Sequence, residues 1–348
     1  MLDKIIQEDI RSVIGSIGLP FMQLAGKTIL VSGADGFIPS YFVDTVLGLN
    51  ETMLKKDPAK LTVLTHHDIS ENSRLSHCLN IPGIEFIVGD VASVSLPNEI
   101  DIIIHGASKA SPKDYLGKLI ETADVNVLGT KNLLEYCARK RGSKFLLISS
   151  SEVYGDPSAT PISESYNGNV DPIGPRSAYQ EAKRFAETYC YLYRKVHGTD
   201  AFIARLFHTY GPRLSLNDGR VVPEFIRRAI NEETINITDG SSIRTFAYIS
   251  DSIAAMWRVL LVGKPGQPYN VGSEEEIRID DLAALIIRIS QSRSDIQFVP
   301  PESIPHSIAT PAITTPSIQK IKALGHTNKI YLKPGLTRLI GWYKNHKP

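Results

Sequence analysis

Six short, continuously apolar segments punctuate the first two thirds of the chain, and segments of helical periodicity stand between them. Residues 28–31, 61–64, 85–88, 101–105, 144–148 and 201–205 are rich in Ile, Val, Leu and Phe and too short for buried helices. Strands covered on both faces have this composition, because a parallel sheet carries helices on either side. In the intervals, 41–49, 118–139 and 178–195 repeat apolar side chains at helical spacing. This alternation predicts an α/β fold built on a doubly wound parallel sheet. At 348 residues the chain can bury one large core or two closely joined lobes.

After Gly211-Pro212 the rhythm changes. A helix-like run over 222–231, the polar turn Asp239-Gly240-Ser241-Ser242 and a Pro-rich stretch over 297–316 predict a smaller C-terminal α/β lobe. The expected organisation is a helical extension over 1–25, a nucleotide-binding domain over 26–210 to which 246–275 returns, and a substrate lobe from 211–245 and 276–348. The extension carries an amphipathic helix over 2–15 with Ile5, Ile6, Ile10, Val13 and Ile14 as its apolar set. An oligomer contact and a cover over a cleft are equally open for it.

Lys plus Arg number 38 and Asp plus Glu 37, so no charge excess points to nucleic acid or to an acidic membrane. No apolar run reaches the ~20 residues that span a bilayer, and the N-terminus lacks the apolar core of a signal peptide. A soluble, cytoplasmic protein is expected. Cys78, Cys137 and Cys190 form neither a metal pattern nor a disulfide framework and read as buried thiols in a reducing compartment.

Between the first strand and the first interior helix lies Val31-Ser32-Gly33-Ala34-Asp35-Gly36-Phe37-Ile38, the strand–turn–helix setting of a dinucleotide site. Gly33 and Gly36 let the backbone approach a pyrophosphate, and the helix start at Phe37 and Ile38 offers oriented N–H donors. The third glycine of that spacing is Pro39, and an ordinary strand-to-helix turn is an equal alternative on this motif alone. Asp90 and Val91 after the third strand, and Ala107 after the fourth, are placed to flank a cofactor. The second strand ends in Thr65 and His66 in place of a ribose-binding carboxylate, and Asp68 follows. NAD is favoured over NADP because no arginine stands at that strand end.

The chemistry concentrates in Ser149-Ser150-Ser151-Glu152-Val153-Tyr154-Gly155 and Tyr179-Gln180-Glu181-Ala182-Lys183. The first sets hydroxyls and a carboxylate at the end of an apolar strand, where parallel sheets present reactive groups. The second puts a phenol and an ammonium four residues apart, on one helical face. A nearby ammonium favours phenolate, which draws a tyrosine down from its ordinary pKa of about 10. Such a tyrosine can take a proton from a hydroxyl as that carbon loses hydride. Glu152 also fits a purely structural reading, and His105 reads as a buried, hydrogen-bonded histidine.

These elements resemble the extended short-chain dehydrogenase/reductase family of nucleotide-sugar enzymes, with a Rossmann-type cofactor domain. Other stretches that carry the likeness are His105-Gly106-Ala107-Ser108-Lys109-Ala110-Ser111-Pro112, Asn126-Val127-Leu128-Gly129-Thr130, Arg205-Leu206-Phe207-His208-Thr209-Tyr210-Gly211-Pro212-Arg213 and Gly240-Ser241-Ser242-Ile243-Arg244. Within the family the chain is most similar to UDP-glucuronate decarboxylases, lyases of polysaccharide biosynthesis. The resemblance implies a bound NAD that removes hydride from C4 of a UDP-hexuronate and returns it after loss of the C5 carboxylate. It makes Tyr179 the base and has Lys183 hold the nicotinamide ribose. Ser150 bonds the C4 oxygen, and Ser151 with Glu152 separates reactions within the family. It also implies cofactor contacts from Ser149 and Phe207, and substrate contacts from Lys109, Ser111, His208, Arg213, Arg220 and Arg244. A homodimer through the 118–139 and 178–195 helices is implied as well. A 4,6-dehydratase is the second enzyme reading and a 4-epimerase the third; an NAD-binding scaffold is the alternative from another class. Ser151 tips the choice, since a serine cannot readily serve as the acid that a departing C6 hydroxyl needs. His208 and Lys109 depart from the family pattern, where asparagine and proline are usual.

Overall fold

The computed structural model describes residues 2–97, 99–111, 116–303 and 311–346. Pro112, the end of one motif, and positions 304–310 of the Pro-rich stretch lie outside them. Seven parallel strands form the central sheet. They are β1 (Thr28–Ser32), β2 (Lys60–Thr65), β3 (Ile84–Val88), β4 (Ile102–His105), β5 (Lys144–Ser150), β6 (Asp200–Leu206) and, as an added edge strand, β11 (Pro268–Val271). Their order is β11-β6-β5-β4-β1-β2-β3. The chain reverses direction across the sheet between β1 and β4, and ligands of such sheets sit at that switch point.

Side-chain alternation along each strand divides the core in two. Ile29, Val31, Ile102, Ile104, Leu146, Ile148, Phe202 and Ala204 face one buried cluster. Leu30, Ile103, Phe145, Leu147, Ala201 and Ile203 face the other. Helices α3 (Leu119–Arg139) and α4 (Ser177–His197) cover the second face through Leu133, Leu134, Cys137, Ala186 and Cys190. The first face is covered by α2 (Phe37–Glu51) and α6 (Ile249–Val262), and also by the N-terminal helix α1 (Lys4–Ile17). Ile6, Ile10, Val13 and Ile17 of α1 are buried in that cluster, and Gly48 leaves room for Ile10 and Ile14 against α2. Helix α1 is therefore a structural layer of the core.

The C-terminal residues add α5 (Val221–Ile230), α7 (Ile279–Ser290), α8 (Gln319–Lys322) and α9 (Leu332–Asn345). Three small sheets accompany them. β7 (Thr209–Tyr210) pairs with β10 (Ala247–Tyr248), and β8 (Ile235–Ile237) with β13 (Ile296–Phe298). The third runs β12 (Glu276–Arg278), β9 (Ile243–Thr245), β14 (Ile313–Thr314). Cys78, Cys137 and Cys190 are buried free thiols. Among the described residues no helix is long and apolar enough to cross a membrane.

Candidate active site

The C-terminal ends of β1, β4, β5 and β6 bring the singled-out residues to one edge of the sheet. Gly33 leaves β1 with φ +65, and a Cβ there would lie 2.6 Å from the Cα of Ala107 beyond β4. Only glycine tolerates both the left-handed backbone and this approach. Gly36 is the N-cap of α2 and has no side-chain capping bond, so the first N–H groups of the helix, at Phe37 and Ile38, are left for a ligand. The Asp35 Oδ1 atom is buried there with no partner among the described residues. The glycine walls and uncapped N–H groups of this helix start, and not the Asp35 side chain, suit a pyrophosphate. Pro39 sits in the first helical turn, where its missing N–H costs nothing. Its ring is accommodated by Gly106, where a Cβ would stand 2.5 Å from the proline Cγ.

Arg74, a neighbour of this turn, carried no signal in the sequence. Arg74 Nη1 donates to the Asp35 carbonyl at 3.0 Å, and its Nε donates to the Arg213 carbonyl at 3.1 Å. Arg213 itself donates to Asp44 Oδ2 of α2 at 2.6 Å and lies over the Tyr41 ring, so its guanidinium clamps the 211–214 turn to α2. Asp90 closes a local turn by accepting from Ala92 N, while Val91 packs under Gly129 of α3. Phe207 lies in a small apolar cluster with Val153, Tyr154 and Ile162.

Tyr179 and Lys183 are both buried on the inner face of α4. The Lys183 Nζ donates to the Ile148 carbonyl of β5 at 2.9 Å and stands 5.9 Å from the centre of the Tyr179 ring. Burial lowers Lys183 to about 8, against the opposing pull of Glu187. His105 is buried with Nδ1 paired to Ser32 Oγ at 2.7 Å, and burial followed by the Lys183 charge takes it down to about 3. A neutral imidazole thus adjoins a cationic lysine.

At the end of β5, Ser150 caps the short turn Ser151–Tyr154 by accepting from the Glu152 N–H at 3.2 Å. Ser149 turns away and donates to Glu187 Oε1 at 2.6 Å. The Glu152 carboxylate receives a very short contact from Arg176 and a 2.8 Å bond from Gln180 Nε2. Arg176 and Gln180 are one helical turn apart, spacing that could have revealed them beside Tyr179.

Three guanidinium groups stand within electrostatic reach of His208. The charges of Arg244, Arg220 and Arg176 all act on its ring, which burial and these neighbours bring down to about 3. Its Nε2 is enclosed without a partner among the described residues, and Phe246 lies 5.6 Å away. Asp218 grips Arg220, with one bond at 2.9 Å, and that guanidinium is within electrostatic reach of the Tyr179 phenol. Arg244 is buried and donates to the carbonyls of Ile243 and Ala312. These guanidinium groups, two of them already paired with Glu152 and Asp218, offer forked donors that suit an anionic ligand. Lys109 pairs with Glu121 of α3 at 3.3 Å, and Ser111 is buried beyond it. A proton acceptor, a neighbouring ammonium and a cationic pocket share one edge with the glycine turn, an arrangement suited to moving a proton and a hydride on an anionic substrate.

Residues 29–272 match the NAD dependent epimerase/dehydratase family. The chain is 37% identical over 319 residues to UDP-glucuronic acid decarboxylase 1 of Danio rerio, covering 91% of this chain and 72% of that protein. It is 37% identical over 310 residues to UDP-glucuronic acid decarboxylase 6 of Arabidopsis thaliana, covering 88% and 86%. A solved UDP-glucuronic acid 4-epimerase from Bacillus cereus, in complex with UDP-glucuronic acid and NAD, is 25% identical. It superposes with a TM-score of 0.77 over 92% of this chain and 99% of that one. With the glycine turn, the Tyr179–Lys183 helix and this match over most of its length, the chain belongs to the NAD dependent epimerase/dehydratase family.

Proposed function

We propose that the protein decarboxylates a UDP-hexuronate, UDP-glucuronate or a close relative, and yields a UDP-pentose. The observation that carries this reading within the family is the pair Ser151-Glu152: the serine is no acid, and the Glu152 carboxylate is held by Arg176 and Gln180. A dehydratase needs an acid to expel the C6 hydroxyl, whereas a β-keto acid needs none. The names of the similar decarboxylases support the same reading.

Gly33, Gly36 and the first N–H groups of α2 would hold the pyrophosphate of NAD, with Ala107 against the turn. Bound NAD supplies reversible hydride acceptance at the sugar C4. The Lys183 ammonium favours the Tyr179 phenolate, which accepts the C4 hydroxyl proton and becomes the phenol. With C4 a ketone, the C5–C6 bond breaks, its electron pair moves onto the C4 oxygen, carbon dioxide leaves and C5 takes up a proton. Tyr179 O–H stabilises that enolate oxygen and returns its proton there as C4 regains hydride, which gives the UDP-pentose. Arg176, Arg220, Arg244 and His208 hold the anionic parts of the substrate. Lys109 and Ser111 belong to the sugar-facing loop in this reading. Arg213 acts through Asp44 and the α2 start, as a positioning group.

A homodimer through α3 and α4 is part of the proposal. Leu128 on α3 and Phe185, Leu192 and Val196 on α4 leave exposed apolar surface on both helices, which supports such an interface. Product masses from UDP-glucuronate and UDP-glucose, offered separately with NAD, test the function. A UDP-pentose from the first alone is expected. A 4-keto-6-deoxy sugar from the second, or an unchanged hexuronate mass with inverted C4, would refute it.

A further inference from the structure

We infer that Glu187 and Arg205 form a largely buried pair that holds the Ser149 hydroxyl in place and sets a carboxylate one helical turn from the Lys183 ammonium, beside Tyr179. The inference rests on the catalytic reading of Tyr179 and Lys183 above. Glu187 follows Lys183 by one helical turn and Tyr179 by two, so all three share the sheet-facing side of α4. Its carboxylate accepts from Ser149 Oγ at 2.6 Å, and from Arg205 at 3.0 and 3.2 Å through Nε and 2.7 Å through Nη2. The two side chains are only 11% and 14% exposed, which makes this a largely shielded, forked ion pair.

The pair is anchored on its far side. Arg205 Nη1 donates to the Tyr154 hydroxyl at 2.9 Å, and the guanidinium lies over that ring at 4.8 Å. The Tyr154 hydroxyl donates to Asn270 Oδ1 of β11 at 2.6 Å, and Asn270 Nδ2 donates to the Ile162 carbonyl. Polar bonds thus run from α4 through β6 and the turn after β5 to the sheet edge. A buried ion pair is a weak stabilising device, because desolvation offsets much of its attraction. Its placement one turn from Lys183 gives it a local task instead.

The groups facing Lys183 can be named element by element. Its own helix supplies Tyr179 and Glu187, β5 the Ile148 carbonyl, and β4 the neutral His105; Arg205 of β6 stands behind Glu187. Burial pulls Lys183 down to about 8 while the Glu187 charge holds it up. Removing that charge would discharge the lysine, and end its support of Tyr179, at a lower pH.

The test is the pH profile of kcat with saturating NAD and UDP-glucuronate for Glu187→Gln, Glu187→Asp, Lys183→Met and the double variant Glu187→Gln/Arg205→Met. In Glu187→Gln the alkaline limb is expected to move down by about one pH unit or more. Glu187→Asp should keep the limb near its original place. The double variant leaves no unpaired buried charge, so it keeps the fold where the single variant does not, and its limb should move in the same direction by a smaller amount because the Arg205 cation is lost too. An inactive Lys183→Met together with an unmoved limb in the charge-removing variants would overturn the pair alone. A fully active Lys183→Met would overturn the catalytic reading and the pair with it.

Discussion

At the scale of single residues, Pro39 and Gly106 explain each other. The proline occupies the place where close helix–sheet packing ordinarily calls for glycine, and the glycine on the facing strand end supplies the missing space. Gly106→Leu should therefore overpack the turn, costing about 1–3 kcal/mol and weakening NAD binding. Adding Pro39→Gly should restore much of both, as read by thermal unfolding and NAD titration. Independent, additive effects would show that the two do not meet. Tyr179→Phe should keep NAD affinity while lowering kcat about 10²-fold or more, which single-turnover kinetics would measure. Tyr179, Lys183 and the glycine turn were legible in the sequence because each is a local spacing on one element. The grip of Arg176 and Gln180 on Glu152 was not, because a carboxylate's partners depend on how a strand-end turn meets a helix start. Nor was the pairing of Arg213 with Asp44, groups 169 residues apart.

At the scale of elements, α1 shows the same limit. Its amphipathic pattern was plain, but its partners lie far along the chain. Asp9 accepts from Tyr248 at 3.0 Å and from Arg338 Nη2 of α9 at 2.9 Å, binding the first helix to the last. Arg338→Met leaves the buried Asp9 carboxyl without its cationic partner and should cost about 1–3 kcal/mol. Chemical denaturation of this variant measures the cost. The Asp9→Asn/Arg338→Met double variant should recover part of the loss, whereas no loss in the single variant would mean that α1 is held by its apolar face alone. Six of the seven strands of the sheet were legible, because most of them bury both faces and composition marks that condition, whereas the edge strand β11 was not foreseen. The short strands beyond β6 were not either, since two- and three-residue pairings leave little pattern.

At the scale of the whole molecule, buried titratable groups give stability a pH dependence of known sign. His105 falls from 6.5 to about 3 on folding, so its contribution is fully present above pH 6.5 and is lost as pH falls through 3. Lys183 has the same sign between its ordinary 10.5 and about 8. Asp9 has the opposite sign: raised from 3.8 to about 7, it contributes fully below pH 3.8 and loses this as pH rises through 7. The stability advantage of the parent chain over His105→Gln should therefore shrink as pH is lowered from 6.5 towards 3, in urea unfolding at a series of pH values. A constant difference would mean that His105 is not held neutral. The account as a whole turns on the bond that breaks. With UDP-glucuronate carrying ¹³C at C6 only, and NAD present, the label should leave quantitatively as carbon dioxide while an unlabelled UDP-pentose accumulates. Label retained in any sugar-nucleotide product of turnover would contradict it.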